Sequence, residues 1–312
     1  MVGLWAIRKR GGKPHHAGTN AHAPATAAGP DFLCIGAQRA GTSWLYQQLA
    51  AHPDFWMPPV KELHYFDQFG RGAVMPRPRD ERDNRFFARL KELSERMYID
   101  VDDYARLFEA KECLRSGDIT PAYSTLNEEI VERVVTRFAE AKVIFFARDP
   151  VERVWSSFSL AVREKMIPAF DAADPEAVMR NLLHPGVLLR SYPSKIVARW
   201  KRYVRTESFR VFFFDDLKAD PAAMRRSVLE FLGADPDKRG RRLRPEHNSD
   251  AKREKLPLTE KVRALLAQFF HDELKACARE LGGAAKSWPA RYGFSLICLV
   301  AQLVDNFDPF LL

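Results

Sequence analysis

Residues 31–53 of the chain read DFLCIGAQRAGTSWLYQQLAAHP, a pattern that predicts a strand, a loop and a helix in succession. The mostly apolar run 31–35 is typical of a short buried strand. Two glycines bracket the loop at residues 36–41, and apolar residues recur at helical spacing from Thr42 until Pro53 ends the run. Loops of this kind bind phosphate through their backbone N–H groups and those of the following helix. The stretch therefore predicts an α/β fold with an anion site, although a glycine turn without a ligand is the alternative.

The loop differs at one position from the phosphate-binding loop of kinases. The kinase pattern, G-x-x-x-x-G-K-[ST], has a lysine after its second glycine, where this chain has Thr42. The cation of the loop is instead Arg39, which lies inside the turn. Because the lysine that reaches the β- and γ-phosphates is missing, an ordinary nucleoside triphosphatase is disfavoured. The hydroxyl groups of Thr42 and Ser43 could donate hydrogen bonds to an anion.

Composition and charge favour a folded protein with a small anionic ligand. The 312 residues are 46% apolar, enough for one large α/β domain or two small ones. The formal net charge is +8, but Arg8, Lys9, Arg10 and Lys13 place half of it in the first 30 residues, which contain no acid. The rest of the chain is only mildly basic. A nucleic-acid partner would require a long basic stripe, so we expect none.

The cysteines and the apolar runs indicate the cellular compartment. The four cysteines show no C-x-x-C spacing, and no apolar signal sequence precedes them. We therefore expect neither a disulfide framework nor a zinc site, and a cytoplasmic location. No apolar run approaches the roughly 20 residues of a membrane span.

The chain divides into three parts. Residues 1–29 read as a disordered basic tail, 30–293 as the domain, and 294–312 as an apolar segment. That segment could dock on the domain, on a partner subunit or on a membrane surface, and we expect docking. Within the domain, residues 258–281 have the spacing of one long amphipathic helix. The oligomeric state has no signature in the sequence.

A cluster of ionisable residues follows the first helix. Lys61, Glu62 and His64 alternate with apolar residues in the stretch VKELHYFD, residues 60–67. A half-buried strand or turn with solvated charges explains this pattern equally well. A carboxylate beside aromatic side chains, however, is expected to have a raised pKa, which suits a general base near neutral pH.

A second strand–helix unit lies further along the chain. The apolar run 143–147 is typical of a central parallel strand, and Asp149 and Pro150 are suited to the N-cap and first turn of the next helix. Arg148 leaves the end of this strand, and Ser156 lies about two turns into the helix. Both side chains can therefore meet at the carboxyl edge of the sheet, where open α/β sheets bind ligands.

Taken together, these segments resemble the sulfotransferases that use 3′-phosphoadenosine-5′-phosphosulfate (PAPS). Residues 39–44, RAGTSW, resemble the loop that holds the 5′-phosphosulfate, with Arg39 in place of the usual lysine. Residues 61–66 resemble the K/x-E-x-H-F-F segment of the heparan-sulfate-type and related bacterial enzymes. Residues 148–156 match R-D-P-x-x-R-x-x-S, the 3′-phosphate segment. The resemblance covers roughly residues 31–292 and implies a central, mostly parallel sheet flanked by helices, in the P-loop nucleotide-kinase-like sulfotransferase fold.

The resemblance also implies which residues bind the donor. These are Arg39, Ala40, Gly41, Thr42, Ser43, Trp44, Arg148, Ser156 and, in a late basic segment that lacks the family's glycine signature, Lys252 and Arg253. Arg148 and Ser156 would hold the 3′-phosphate, and Trp44 would stack on the adenine. Arg153 could instead brace the fold through an ion pair.

The implied chemistry is in-line transfer of a sulfuryl group to a hydroxyl, or to an amine, of a small molecule or glycan. Glu62 would be the base, assisted by Lys61 or His64, and Arg39 would offset charge on the leaving phosphate. No metal is implied. Ile119 stands where the heparan-type enzymes have a lysine, which argues against simply assigning a heparan acceptor.

Two other functions stay open at this point. One is a P-loop kinase-like phosphotransferase, which magnesium-dependent transfer from ATP would support. The other is a non-catalytic nucleotide- or polyanion-binding protein, which the basic tail permits. Binding of the 3′,5′-bisphosphate product without turnover of any acceptor would favour that second alternative.

Overall fold

The computed structural model describes residues 29–67, 76–95, 98–238, 240–241, 243–246 and 255–294. The predicted tail up to residue 28, the apolar segment from 295, and Lys252 and Arg253 lie outside the described residues. The predictions made for them stay predictions.

A four-stranded parallel sheet forms the centre of the described chain, in the order β2-β1-β3-β4. The strands are β1 (Phe32–Gly36), β2 (Gly117–Ile119), β3 (Lys142–Ala147) and β4 (Phe209–Phe213). All residues of β1 and β2 are buried, as expected for a parallel sheet covered on both faces. The predicted α/β class and parallel sheet are confirmed.

Helices cover this sheet. They are α1 (Thr42–Ala50), α2 (Glu81–Ser94), α3 (Val101–Arg106), α4 (Glu128–Arg137), α5 (Pro150–Arg163), α6 (Pro175–Leu182), α7 (Pro185–Leu188), α8 (Pro193–Lys201), α9 (Phe214–Ala219), α10 (Pro221–Phe231), α11 (Glu260–Phe269) and α12 (His271–Glu280). Short 3₁₀ turns lie at Glu109–Lys111, Pro121–Thr125, Thr206–Ser208, Gly283–Ser287 and Pro289–Tyr292.

An Asp-Pro pair starts three of these helices: α5, α6 and α10. The carboxylates of Asp149, Asp174 and Asp220 each accept hydrogen bonds from N–H groups of the first turn. Proline fits the next position because its missing N–H has no partner there in any case. The start of α5 is thus where the sequence predicts it.

The last long helix is two helices rather than one. The prediction for residues 258–281 is wrong at Phe270, where α11 ends and α12 begins. Phe270 is fully buried, and its ring contacts Tyr192 at a centroid distance of 6.0 Å. This packing against a residue distant in sequence accompanies a break in the helix that helical periodicity alone does not reveal.

None of the described helices combines the length and apolar character needed to cross a bilayer. Within the same residues, no three His, Cys, Asp or Glu side chains are grouped so as to hold a metal ion.

Candidate functional site

The glycine loop lies at the carboxyl end of β1 and leads directly into α1. The Ala37 N–H donates to the carbonyl of Phe146 at 2.8 Å, which ties the loop to β3. Gly41 is the N-cap of α1 with φ of +102°, and no side chain caps the helix. A Cβ atom at Gly41 would lie 2.6 Å from Leu217 Cδ2. Only glycine fits this backbone, and it leaves the first N–H groups of α1 available to an anion.

The side chains of the loop differ in exposure. Ala40 is fully buried and Thr42 nearly so, whereas Ser43 is exposed. The loop can therefore offer an anion its backbone N–H groups and the Ser43 hydroxyl more readily than the Thr42 hydroxyl.

The structure brings the two predicted phosphate segments into contact. Arg39 Nε donates to Ser156 Oγ at 3.1 Å, and Arg148 Nη1 donates to the carbonyl oxygen of Arg39 at 2.6 Å. These partners are 117 and 109 residues apart in the sequence. Two cations and a hydroxyl thus converge where β1 and β3 end side by side, which is suitable geometry for a phosphate group.

Arg148 occupies a largely dry position. Its side chain is 14% exposed, its guanidinium lies 4.4 Å from the ring centroid of Phe214, and Nη2 is 3.5 Å from a carboxylate oxygen of Glu152. The Nε atom is buried and has no hydrogen-bond partner among the described residues. Burial lowers the pKa of Arg148, and the charge of Arg39 adds to this effect. An incoming anion would supply the missing partner.

Lys61, Glu62 and His64 form a chain of charges that ends at Asp67. Lys61 donates to Glu62 Oε1, His64 Nε2 lies 3.6 Å from Glu62 Oε2, and His64 Nδ1 lies 2.9 Å from Asp67 Oδ2. Sequence reasoning missed Asp67. Its spacing of three residues from His64 is a local signal that could have indicated it.

The expectation of a raised pKa for Glu62 is wrong. Burial does raise the pKa of this carboxyl, but His64 and Lys61 outweigh burial and lower it to about 2. Contacts with Asp67 and Glu62 raise the pKa of His64 to about 9. Adjacent cations therefore decide the protonation state, and at neutral pH Glu62 is ionised and His64 is protonated.

Buried polar groups behind this segment hold it in place. The fully buried Asp118, on β2, accepts hydrogen bonds from the backbone of Leu63, from Thr120 and from Tyr104. The Tyr65 N–H donates to the Tyr123 hydroxyl at 3.1 Å. The contact between Tyr65 and Tyr123 joins residues 58 apart in the sequence, so no local pattern could have revealed it.

Cys34, on β1, is a buried thiol on which the charges of Lys61 and Glu62 act. This cysteine is fully buried on β1, two residues before Gly36, and burial raises its pKa to about 12. The charges of Lys61 and Glu62 also act on the Cys34 thiol. The charges of this segment are thus felt at a thiol on β1, two residues before the loop begins.

Trp44 lies in the core rather than on the surface. It is 8% exposed, its ring meets Phe146 edge-on at 6.3 Å, and its indole N–H donates to the carbonyl of Pro245 at 2.7 Å. Little of its ring surface is accessible to an adenine base. On α5, the Trp155 indole N–H likewise donates to the carbonyl of Leu256 at 2.9 Å. Pro245 and Leu256 are thus hydrogen-bonded to α1 and to α5, respectively.

Arg153 does not form the ion pair that its position in the sequence motif suggests. It is fully buried on α5 and donates to Ser191 Oγ and the Val187 carbonyl, at 2.5 Å and 3.3 Å. No carboxylate pairs with it in the described part of the chain.

Comparison with known proteins agrees with this geometry. The model of the sulfotransferase family matches residues 30–238, more than half of the chain. The human heparan sulfate glucosamine 3-O-sulfotransferase 5 is 24% identical over 217 residues, which cover 66% of this chain and 54% of that protein. A membrane-associated sulfotransferase of Dictyostelium discoideum is 28% identical over 138 residues, 43% of this chain and 23% of that one. The chain therefore spans about half, or less, of these curated relatives.

Among solved structures, a sulfotransferase from Alicyclobacillus acidocaldarius resembles the fold. The TM-score is 0.60 at 23% sequence identity, and the match covers 83% of this chain and 98% of the other. Similarity at this level of identity shows the fold alone.

Proposed function

Since the chain belongs to the sulfotransferase family, we propose that it transfers a sulfuryl group from PAPS to a hydroxyl, or to an amine, of a small molecule or glycan. One observation carries the proposal. Arg39, Arg148 and Ser156 come from two strand–helix units and converge through direct hydrogen bonds beside the uncapped start of α1. A nucleotide with phosphates at both its 5′ and 3′ positions matches two anion sites of this kind.

The donor would lie along this edge of the sheet. The first N–H groups of α1 and the Ser43 hydroxyl hold the 5′-phosphosulfate, and Arg39 offsets the charge that develops on the leaving phosphate. Arg148 and Ser156 hold the 3′-phosphate. Buried Trp44 serves best as a support that fastens the late segment to α1. Lys252 and Arg253 stay candidates for closing that segment over the nucleotide.

Transfer then needs one proton acceptor. The acceptor oxygen attacks sulfur, the bond from sulfur to the bridging phosphate oxygen breaks, and 3′-phosphoadenosine-5′-phosphate leaves. Glu62 takes the acceptor proton. Because Lys61 and His64 hold Glu62 ionised, it is ready to accept a proton, and an arriving acceptor would displace one of these cations. Lys61 is then free to bind a sulfuryl oxygen.

A glycan acceptor is supported by the human relative, whose name places its action on heparan sulfate glucosamine. The buried Ile119 stands at the position of a family lysine, which argues against assigning heparan sulfate as the acceptor of this chain. We therefore propose the acceptor class and not a particular sugar.

Calorimetric titration tests the donor site. Without magnesium, the wild-type protein should bind 3′-phosphoadenosine-5′-phosphate far more tightly than ATP. Arg148→Ala should weaken binding of the bisphosphate by about 100-fold or more, since a hydrogen-bonded charge contact of this kind contributes about 3 kcal/mol. Arg163→Ala, which removes an arginine from the other end of α5, is the matched control and should bind normally. Equal or tighter binding of ATP would reject the proposal and favour a kinase.

A further inference from the structure

Arg153 is a buried cation whose hydrogen bonding is incomplete. Its side chain is fully buried, and Nη2 donates to Ser191 Oγ and to the Val187 carbonyl. The Nε and Nη1 atoms are buried and have no hydrogen-bond partner among the described residues. Guanidinium groups in protein interiors are normally paired, because an unpaired buried charge is strongly destabilising.

The charges that act on Arg153 make its position less favourable still. Burial lowers the pKa of Arg153 to about 9, and the positive charges of Arg190 and Arg148 add to this effect. Across the described ranges, no carboxylate forms an ion pair with Arg153. Arg153 lies on α5 three residues before Ser156, which Arg39 contacts, and Arg148 Nη1 donates to the Arg39 carbonyl. A row of like charges therefore runs from the glycine loop into the interior. Glu152, 3.5 Å from Arg148, offsets part of this repulsion, and an anion at the loop end would relieve more of it.

We propose that Arg153 is a positioning residue: its buried positive charge lies behind Arg148 and strengthens the attraction of the 3′-phosphate site for an anion. It thereby sets the preference for nucleotides that carry a 3′-phosphate over those with a 3′-hydroxyl. This inference rests on the proposed function. Its physical basis is that a charge in a dry interior is screened much less than one at the surface, so it adds attraction for a dianion that it does not touch.

The hydrogen bonds of Arg153 do not by themselves explain why a charged side chain is buried here. Ser191 Oγ also donates to the Val187 carbonyl at 2.7 Å, so these two groups stay paired with each other if Arg153 is removed. A methionine of similar length would fill most of the volume without a charge. Replacing a buried charge with an apolar side chain is often neutral or stabilising, so the ligand-free protein should not suffer from Arg153→Met.

The experiment compares two nucleotides on the same protein. Titration with 3′-phosphoadenosine-5′-phosphate and with adenosine 5′-phosphate measures the discrimination due to the 3′-phosphate. Arg153→Met should bind the bisphosphate about tenfold more weakly, bind adenosine 5′-phosphate as the wild type does, and melt at an equal or higher temperature without ligand. Arg163→Met, about 15 Å further along α5, is the matched control and should behave as the wild type.

Each remaining outcome contradicts the inference. Unchanged discrimination in Arg153→Met would show that the buried charge does not reach the site. Equal weakening toward both nucleotides, or a lower melting temperature without ligand, would assign Arg153 a purely structural role. If Arg153→Met does not fold, Arg153→Gln provides the neutral variant for the same titration. Should the wild type show no preference for the bisphosphate, the proposed function itself fails, and the two failures are thus distinguishable.

Discussion

The Glu62 carboxylate has a cation on each side. Lys61 and His64 keep its pKa near 2, and Asp67 keeps His64 protonated to about pH 9. If Glu62 is the base, activity needs its ionised form and falls only as the pH drops through the pKa of Glu62. The wild-type kcat/KM should therefore show no fall due to Glu62 between pH 8 and pH 5.

Replacing His64 should raise the pH at which kcat/KM begins to fall on the acidic side. In His64→Asn the largest lowering influence on Glu62 is lost, so the pKa of Glu62 rises toward its ordinary value. The acidic fall in kcat/KM should then shift upward in pH, which a pH–rate profile from pH 4 to 8 measures. His271→Asn, which removes a histidine from α12, is the control. A profile for His64→Asn that coincides with the wild type would argue against Glu62 as the titrating group.

Glu62→Gln tests the same role directly. Loss of the proton acceptor should lower kcat by about 100-fold or more while the affinity for the bisphosphate stays unchanged. Near-normal turnover in this variant would exclude Glu62 as the base.

At the scale of elements, the loop between β1 and α1 lies directly against α9. Gly41 both adopts a positive φ and approaches Leu217 closely, so Gly41→Ala combines backbone strain with a steric clash. We expect a loss of about 2–4 kcal/mol in the free energy of unfolding, together with weaker binding of the bisphosphate. Urea denaturation and calorimetry measure the two effects.

Gly233 provides the matched comparison for Gly41. It has φ of +71°, but the nearest atom to an added Cβ would be at 3.7 Å. Gly233→Ala should therefore cost only about 1 kcal/mol and leave nucleotide binding unchanged. If both alanine variants lose equal stability, the contact with Leu217 is not what restricts position 41.

Some elements of the site follow from local sequence patterns and others do not. Both strand–helix units of the site are predictable, because apolar runs, glycine or Asp-Pro signals and helical spacing are all local. The break at Phe270, the support from Asp118 and the lowered pKa of Glu62 are not. Each depends on a partner or on a side-chain arrangement that only the folded chain brings together.

At the scale of the whole molecule, the end of the described chain contacts the elements of the proposed donor site. Arg291 Nη2 lies 2.7 Å from Asp215, and its Nη1 lies 3.7 Å from Asp149 and 3.9 Å from Glu152. Glu152 in turn contacts Arg148. The turn Pro289–Tyr292 lies beyond the region matched by the family model, yet Arg291 reaches α5, the helix that carries Ser156 of the proposed 3′-phosphate site.

Arg291→Ala should therefore destabilise the protein by about 1–2 kcal/mol, since it leaves three carboxylates without a shared cation. Urea denaturation measures the change. Arg279→Ala is the control: Arg279 is 57% exposed and meets Glu280 at 3.8 Å, so its loss should cost less than about 0.5 kcal/mol. Equal stability of the two variants would mean that the Arg291 contacts contribute no more than an exposed pair.

Trp44 and Trp155 each donate an indole hydrogen bond to the late segment, one from each helix of the site. An indole's emission wavelength and intensity depend on the groups around it, so these two side chains are natural optical probes. A change in either hydrogen bond, to the Pro245 or the Leu256 carbonyl, on nucleotide binding would change their fluorescence. The chain has six tryptophans, so titrating Trp44→Phe, Trp155→Phe and the wild type in parallel would reveal how much of any change each of the two contributes. Stopped-flow mixing would reveal how fast the change occurs.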